Sequence, residues 1–401
     1  MRACGVIAEW NPFHNGHAYL LSEARRVSRA DLVVAVMSGN YCQRGEPAIA
    51  SKWDRAGAAL ANGADLVVEL PLWWASQSAN YFAQAAIAYL NVLGCQDIAF
   101  GVETADFSPY LAFASWLAQH PEALDRARQT VSQVKDSHAD QELAAWAYLL
   151  DQEEDLAGLH LDFEDQSNTL LAMVYALTIY RGQFHMMPHP IQRQGDGHRQ
   201  DQAVDQHFVS GTYLRQALQS GELGDLVPYL PEEMLSRLAK QETFPSLEAL
   251  YPYIRYLLLV QDRKTLAQIH LMDGGIEGRL QDAARQHRNL EDFLTSAQTR
   301  SWPRLRLQRL LLMLALQVSK DRLQDLHQGS QPIFILAQSE AGRAYCRSIK
   351  KALPANYRWI GRVNRDVAQT WPEWLAADQI YSDYLLQTDR DENFGRWPIS
   401  P

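Results

Sequence analysis

Residues 2–17 read Arg2-Ala3-Cys4-Gly5-Val6-Ile7-Ala8-Glu9-Trp10-Asn11-Pro12-Phe13-His14-Asn15-Gly16-His17, and this stretch decides the fold. Residues 2–8 are dominated by small apolar side chains, as a strand buried on both faces requires. The Asn11-Pro12 pair breaks the run. Residues 18–24, Ala-Tyr-Leu-Leu-Ser-Glu-Ala, then carry apolar side chains near the 3.6 period of a helix. Strand, turn and helix in that order place a helix N-terminus at the carboxyl end of a parallel strand. There, free backbone N–H groups and the positive end of the helix dipole form an anion site. Gly16 lets a ligand approach the backbone. His14 and His17 lie three residues apart, on one helix face. They can donate to phosphate oxygens and offset charge at a phosphoryl centre. The plainer alternative is one histidine satisfied within its turn and one on the surface. The strand context, the Asn-Pro turn and the glycine favour the anion site.

Working outward, residues 31–37, 65–70 and 97–102 read as three more buried strands, with helices over 51–62 and 78–93 between them. Alternation of this kind predicts an α/β fold, a Rossmann-like parallel sheet with right-handed crossovers. Ligands of such sheets bind beyond the carboxyl ends of the strands. His14, His17, the loop from Ser38 to Arg44, and Gly101 to Glu103 all fall at that end. There is no GxGxxG and no GxxxxGK[ST], so a nucleotide must be held by the turn around His14. Asn168 opens a helix running to about Tyr180, as a cap or as a side chain aimed at the nucleotide. Short strand pieces are expected at 184–187 and 191–193, followed by a polar glycine-rich loop from Gln192 to His198. Ser210 caps a further helix that carries Arg215. The acidic helical segment 107–166 reads as an insertion. Beyond residue 220 the pattern is mostly helical (231–240, 246–260, 276–296, 302–318), with one strand-like run at 332–337. The expected organisation is a nucleotide-binding domain over 1–220 and a mostly helical, basic domain over 221–401.

The 401 residues, 47% hydrophobic and 21% charged, suit a soluble enzyme of two or three domains. No apolar run reaches the length of a membrane span. The N-terminus enters a strand without a leader pattern, and the four cysteines contain no CxxC. These features lead to an expectation of reduced thiols in the cytoplasm. The net charge of −10 argues against a nucleic-acid partner, but its distribution argues for one. Residues 300–365 hold 13 Lys and Arg against three acids, a local net of +10 that leaves −20 elsewhere. Such a block is either a contact for a phosphate backbone or an ordinary solvated face. His185 and His189 flank Pro188, which rules out a helical metal pair, and no HExxH or carboxylate cage for a metal is present. Magnesium would arrive with a nucleotide.

Several islands together resemble the bacterial tRNA(Met) cytidine acetate ligase family, a branch of the nucleotidyltransferase superfamily marked by HxGH. They include residues 5–17, 36–40 and 43–48, with Lys52-Trp53, residues 65–71, Gln77-Ser78-Ala79 and Phe100-Gly101. Further on come Ser167-Asn168, Arg193, Ser210-Gly211-Thr212-Tyr213-Leu214-Arg215 and residues 303–311. The resemblance implies a reaction in two steps. Acetate attacks ATP to give acetyl-adenylate and pyrophosphate, and the acetyl group passes to N4 of the wobble cytidine of elongator tRNA(Met). It implies ATP binding by Ile7, Ala8, Glu9, Trp10, Asn11, Pro12, Phe13, His14, Asn15, Gly16, His17, Ala18, Tyr19 and Leu20, and by Gly101, Asn168, Arg193 and Gln194. His14 and His17 would be catalytic, stabilising the phosphates as pyrophosphate leaves. Further candidates for phosphate or acetate contact are Ser38, Arg44, Lys52, Ser210, Thr212 and Arg215, with Trp10, Phe13 and Ser38 lining a tight acetate pocket. The candidate tRNA contacts are Arg304, Arg306, Arg309, Lys350 and Lys351. The chain departs from the family pattern at Ala172, Val174, Gly211 and His198. Two other readings stay open, a transferase making a small coenzyme precursor and a non-catalytic RNA-binding protein on the same fold. The basic C-terminal block weighs against the first, and the intact His14, Gly16 and His17 against the second.

Overall fold

A computed structural model describes residues 1–132, 138–163, 166–194, 207–389 and 391–401. Four strands run parallel as the apolar runs dictate: β1 (Ala3–Ala8), β2 (Leu32–Ser38), β3 (Leu66–Leu70) and β4 (Asp97–Val102). The helices α1 (Asn15–Ser28) and α2 (Lys52–Ala61) and the helix Ala79–Val92 make the crossovers. The expected strand pieces near 184–193 are one strand, β5 (Met187–Gln192), which among the described residues pairs only with β4. Its two prolines are tolerated because it is an edge.

The largest difference from expectation lies in the C-terminal half. β6 (Gln331–Gln338) and β7 (Tyr357–Ile360) extend the same sheet, which among the described residues has seven strands in the order β5-β4-β1-β2-β3-β6-β7. β6 runs antiparallel to β3, and β7 runs parallel to β6. The border expected at residue 220 therefore does not separate two sheets or two cores. Ile399 adds a last bridge to Ala337, tying the chain end to β6. The expected helix 276–296 is two helices, Ile276–Gln286 and Leu290–Ala297, the second capped by Asn289 accepting from the Asp292 N–H.

Alternation along the strands splits the core by face. Cys4, Val6, Ala8, Val33, Ala35, Met37 and Val67 join one cluster, which continues into the C-terminal helices. Ala3, Leu32, Val34, Val36, Leu66 and Val68 join the other, under Ala79–Val92 and the helix Ser167–Arg181. Among the described residues, 107–163 carry three α-helices, Ser108–Gln119, Pro121–Ser132 and His138–Gln152, and a 3-10 turn, Glu154–Leu156. Residues 195–206, including His198, and Glu164 and Asp165 lie outside the described residues. The four cysteines are free and buried. Among the described residues no helix is long and apolar enough to cross a membrane.

Candidate active site

The turn after β1 is tight. Trp10 sits at φ 51°, and the Asn11–Pro12 bond is cis. His14 caps α1: its Nδ1 accepts from the Gly16 N–H at 3.1 Å, while His17 Nδ1 accepts from the His14 N–H at 3.2 Å. The two imidazoles stack with centroids 3.7 Å apart. Phe13 and Trp10 box the His17 ring from behind, at 5.7 and 6.4 Å. A nitrogen that accepts from a backbone N–H carries no proton, so the proton of each neutral ring lies on Nε2. Burial, with the charges of Arg193 and Arg215, lowers the His14 pKa to about 3. Burial, then His14 and Arg193, hold His17 well below the usual histidine range. Both rings are therefore neutral donors and not cations. A Cβ on Gly16 would stand 2.9 Å from the His14 ring, so glycine there is what allows the cap to close.

The N–H groups of α1 correct the expectation of an open helix terminus. The Asn15 N–H bonds the Tyr229 carbonyl at 3.0 Å, the Gly16 N–H is taken by His14, and the His17 and Ala18 N–H groups bond the His14 carbonyl. Asn15 is an anchor as well, donating from its side chain to the carbonyls of Pro228 and His207. The donors offered at this turn are imidazole N–H groups.

Around them the structure gathers residues far apart in sequence. Gly101 lies beside the aliphatic stem of Arg193, whose N–H bonds the Val102 carbonyl. Arg193 is exposed and forms no ion pair among the described residues. Gln194 donates to the Tyr19 hydroxyl at 3.0 Å. Arg215 donates to the Asn11 carbonyl at 2.8 Å and to Thr212 Oγ1 at 3.3 Å, fastening the helix Gly211–Gln219 to the turn. Ser210 is that helix's cap, accepting from the Tyr213 N–H. Arg44 is exposed on the Ser38-to-Pro47 loop.

Other expectations are revised. Lys52 does not reach the crevice. It is fully buried, with Nζ 2.8 Å from Glu69 and 2.5 Å from Asp378. Ser38, Trp10 and Phe13 are buried, with Ser38 Oγ 3.5 Å from Glu9, so they support the site from beneath. Asn168 is not the cap of its helix. Glu103 plays that part, one oxygen accepting from Asn168 Nδ2 at 2.6 Å and the other from the Thr169 N–H at 2.6 Å and hydroxyl at 2.8 Å. These bonds hold the Glu103 carboxyl below the usual range despite its burial.

The basic block divides. Arg304 forms a two-bonded pair with Glu291, Lys320 pairs with Asp273, Arg322 with Glu373 and Arg358 with Asp366. Lys350 and Lys351 follow a helix whose Ile349 lies near Gly94, before β4 and so at the opposite end of the sheet from the histidines. The helix Arg304–Ala315 packs against the loop that carries Arg44. Gly45, at φ 78°, presses on the backbone of Gln308 and Arg309 so closely that a Cβ would collide with it. Arg306 stacks on Trp302 at 3.9 Å. Burial and the neighbouring Arg306 lower the Arg309 pKa to about 10.

Sequence reasoning passed over Arg55. It is fully buried on α2 and donates to the carbonyls of Ala50, Glu9, Ser38 and Gly39, stitching the ends of β1 and β2 together. No local pattern marks a buried arginine of this kind. Gln43, part of a matching island but given no role there, has its N–H 2.5 Å from Glu9 Oε1.

The profile of the family described as HIGH Nucleotidyl Transferase matches residues 1–394. A tRNA(Met) cytidine acetate ligase of Limosilactobacillus fermentum is 36% identical over 365 residues, 91% of each chain. Another, of Levilactobacillus brevis, is 35% identical over 405 residues, 100% of this chain and 98% of that one. Among solved structures, Thermotoga maritima TmcAL resembles the chain at a TM-score of 0.88 and 27% identity in its apo form. The same protein bound with alpha-thio ATP gives 0.86 and 26%, and each comparison covers 100% of this chain and 99% of the other. With the stacked HxGH histidines at the end of β1, these matches establish that the chain belongs to the tRNA(Met) cytidine acetate ligase family of HIGH nucleotidyl transferases.

Proposed function

We propose that this chain activates acetate with ATP and passes the acetyl group to N4 of the wobble cytidine of elongator tRNA(Met). The observation that carries the chemistry is the pair of neutral imidazoles, each with Nδ1 committed to backbone and Nε2–H left to donate. An acetate oxygen attacks the α-phosphorus and the bond to the β-phosphate breaks. Charge gathers on the departing pyrophosphate, where fixed donors stabilise it without reorganising. Arg193 adds a guanidinium fork, and Gly101 leaves room beside it for the nucleotide. The fit of ATP rests on these donors, and magnesium enters with the nucleotide. Acetate is itself the nucleophile, so no protein nucleophile is required. The cytidine amine then attacks the acetyl carbon, and AMP departs. The deciding experiment incubates tRNA with the protein, ATP and labelled acetate and analyses its nucleosides by mass spectrometry. Labelled N4-acetylcytidine is the expected product, and its absence from the wobble position would remove the proposal.

For the RNA, the place of Arg306 and Arg309 on the helix beside Gly45, with Arg44 on the same loop as that glycine, supports these three as the phosphate contacts. Arg306→Gln and Arg309→Gln together are expected to weaken tRNA binding and to flatten its salt dependence by about 0.7–0.9 in log–log slope for each phosphate no longer neutralised. Arg304→Gln, whose partner is Glu291, should leave that slope nearly unchanged. Equal slopes in all variants would show that the helix face is merely solvated.

A further inference from the structure

Acyl transfer to an amine releases a proton, and the site must supply a group to receive it. The two histidines are unsuited: their Nδ1 lone pairs are engaged by the Gly16 and His14 N–H groups, and their Nε2 atoms already bear protons. Glu103 has both oxygens committed to Asn168 and Thr169. Glu46 is drawn to Arg215 at 3.8 Å and to Asn11 at 3.5 Å. Glu9 differs. It stands directly after β1, half-buried, and Oε1 is fixed by the Gln43 N–H at 2.5 Å with Ser38 Oγ at 3.5 Å. Its Oε2 makes no hydrogen bond among the described residues, and the side chain is only partly buried. One oxygen orients the carboxylate and the other is open.

On the basis of the function proposed above, we infer that Glu9 is the general base of the transfer step. The N4 lone pair attacks the acetyl carbonyl carbon and the C–O bond to the α-phosphate breaks. AMP takes the electron pair of that bond, and the N4 proton passes to Glu9 Oε2 and then to solvent. Burial, and after it Glu46, raise the Glu9 carboxyl, while the Gln43 N–H and the charges of Arg44 and Arg215 pull it down. Cys42 and Tyr175 also face it. The net is a carboxyl more basic than usual, which suits a base working near neutral pH. Transfer should therefore lose rate as pH falls through the raised pKa.

The test separates the two steps in the full-length protein. Acetate-dependent ATP–pyrophosphate exchange reports activation, and single-turnover transfer from bound acetyl-adenylate to tRNA reports the second step. Glu9→Gln keeps the acceptor for Gln43 and removes the base. Its transfer rate should fall about 10²–10⁴-fold relative to exchange, with the acidic limb of the transfer pH profile gone. Glu9→Asp should recover part of the rate together with that limb. Transfer comparable to wild type in Glu9→Gln, or equal loss of exchange and transfer in both variants, overturns the assignment. If Glu9→Gln does not fold, the same ratio and pH profile measured in Glu9→Asp decide. A wild-type protein without acetate-dependent exchange would instead strike the ligase reading, which is a separate outcome.

Discussion

His14→Ala and His17→Ala are each expected to lower acetate-dependent ATP–pyrophosphate exchange by about 10²–10³-fold, the usual loss for one fixed donor to a developing anion. tRNA binding should survive in both. The losses should not add in the double variant. His17 Nδ1 holds the His14 N–H and the two rings stack, so either change disturbs the other donor. His14→Ala also removes the cap of α1, worth about 1 kcal/mol, which is too little to unfold the chain and can be checked by circular dichroism. The pH dependence tests the protonation state. His14, lowered to about 3, and His17, lowered well below the histidine range, are neutral throughout the working range. For exchange, kcat/KM reports the free protein, and it should show no loss as pH rises through about 6.5. A decline there would mean that imidazolium, not imidazole, is the active form. Retained exchange in both alanine variants would remove the histidines from the chemistry altogether.

The legible part of this protein is the part whose signals are local. The apolar run of β1, the Asn-Pro turn, and His14 and His17 one turn apart all sit within residues 2–17, and strand-helix alternation placed their end of the sheet. What stayed hidden depends on partners remote in sequence. Glu103 caps a helix 65 residues downstream, so Asn168 reads as a cap from its own neighbours. The run at 332–337 looks like a strand, but nothing within it says that it joins β3 in antiparallel fashion. The basic block reads as one surface because the acids that divide it, Glu291, Asp273, Glu373 and Asp366, lie just outside its limits, and nothing in the local pattern says which arginine or lysine each one meets. The helix terminus looked open because Tyr229, whose carbonyl closes it, belongs to a distant part of the chain.

Lys52→Met should be the most destabilising single change among these residues, by about 3–5 kcal/mol, because it leaves buried carboxylates without their cation. Lys52 Nζ joins Glu69 and Asp378 in a pocket that also holds Asn40 and Glu392, beneath the rings of Phe334 and Trp374. Burial pushes Glu69 and Glu392 up to about 7 even with Lys52 present. A carboxyl raised on folding binds its proton more tightly in the native state. Its favourable contribution is therefore complete below the unfolded value and is lost as pH rises through the folded one. Removing Lys52 raises Glu69 further, so the deficit of the variant should be small near pH 5 and widen toward pH 8, as thermal unfolding midpoints at about those two values would show. The consequence reaches the site through α2. The same helix carries Arg55, which holds the carbonyls of Glu9, Ser38 and Gly39, so a loosened Lys52 pocket loosens the strand ends beneath the histidines. If Lys52 instead touched phosphate, the variant would keep its unfolding midpoint and lose ATP affinity. That result would overturn the structural role assigned to it.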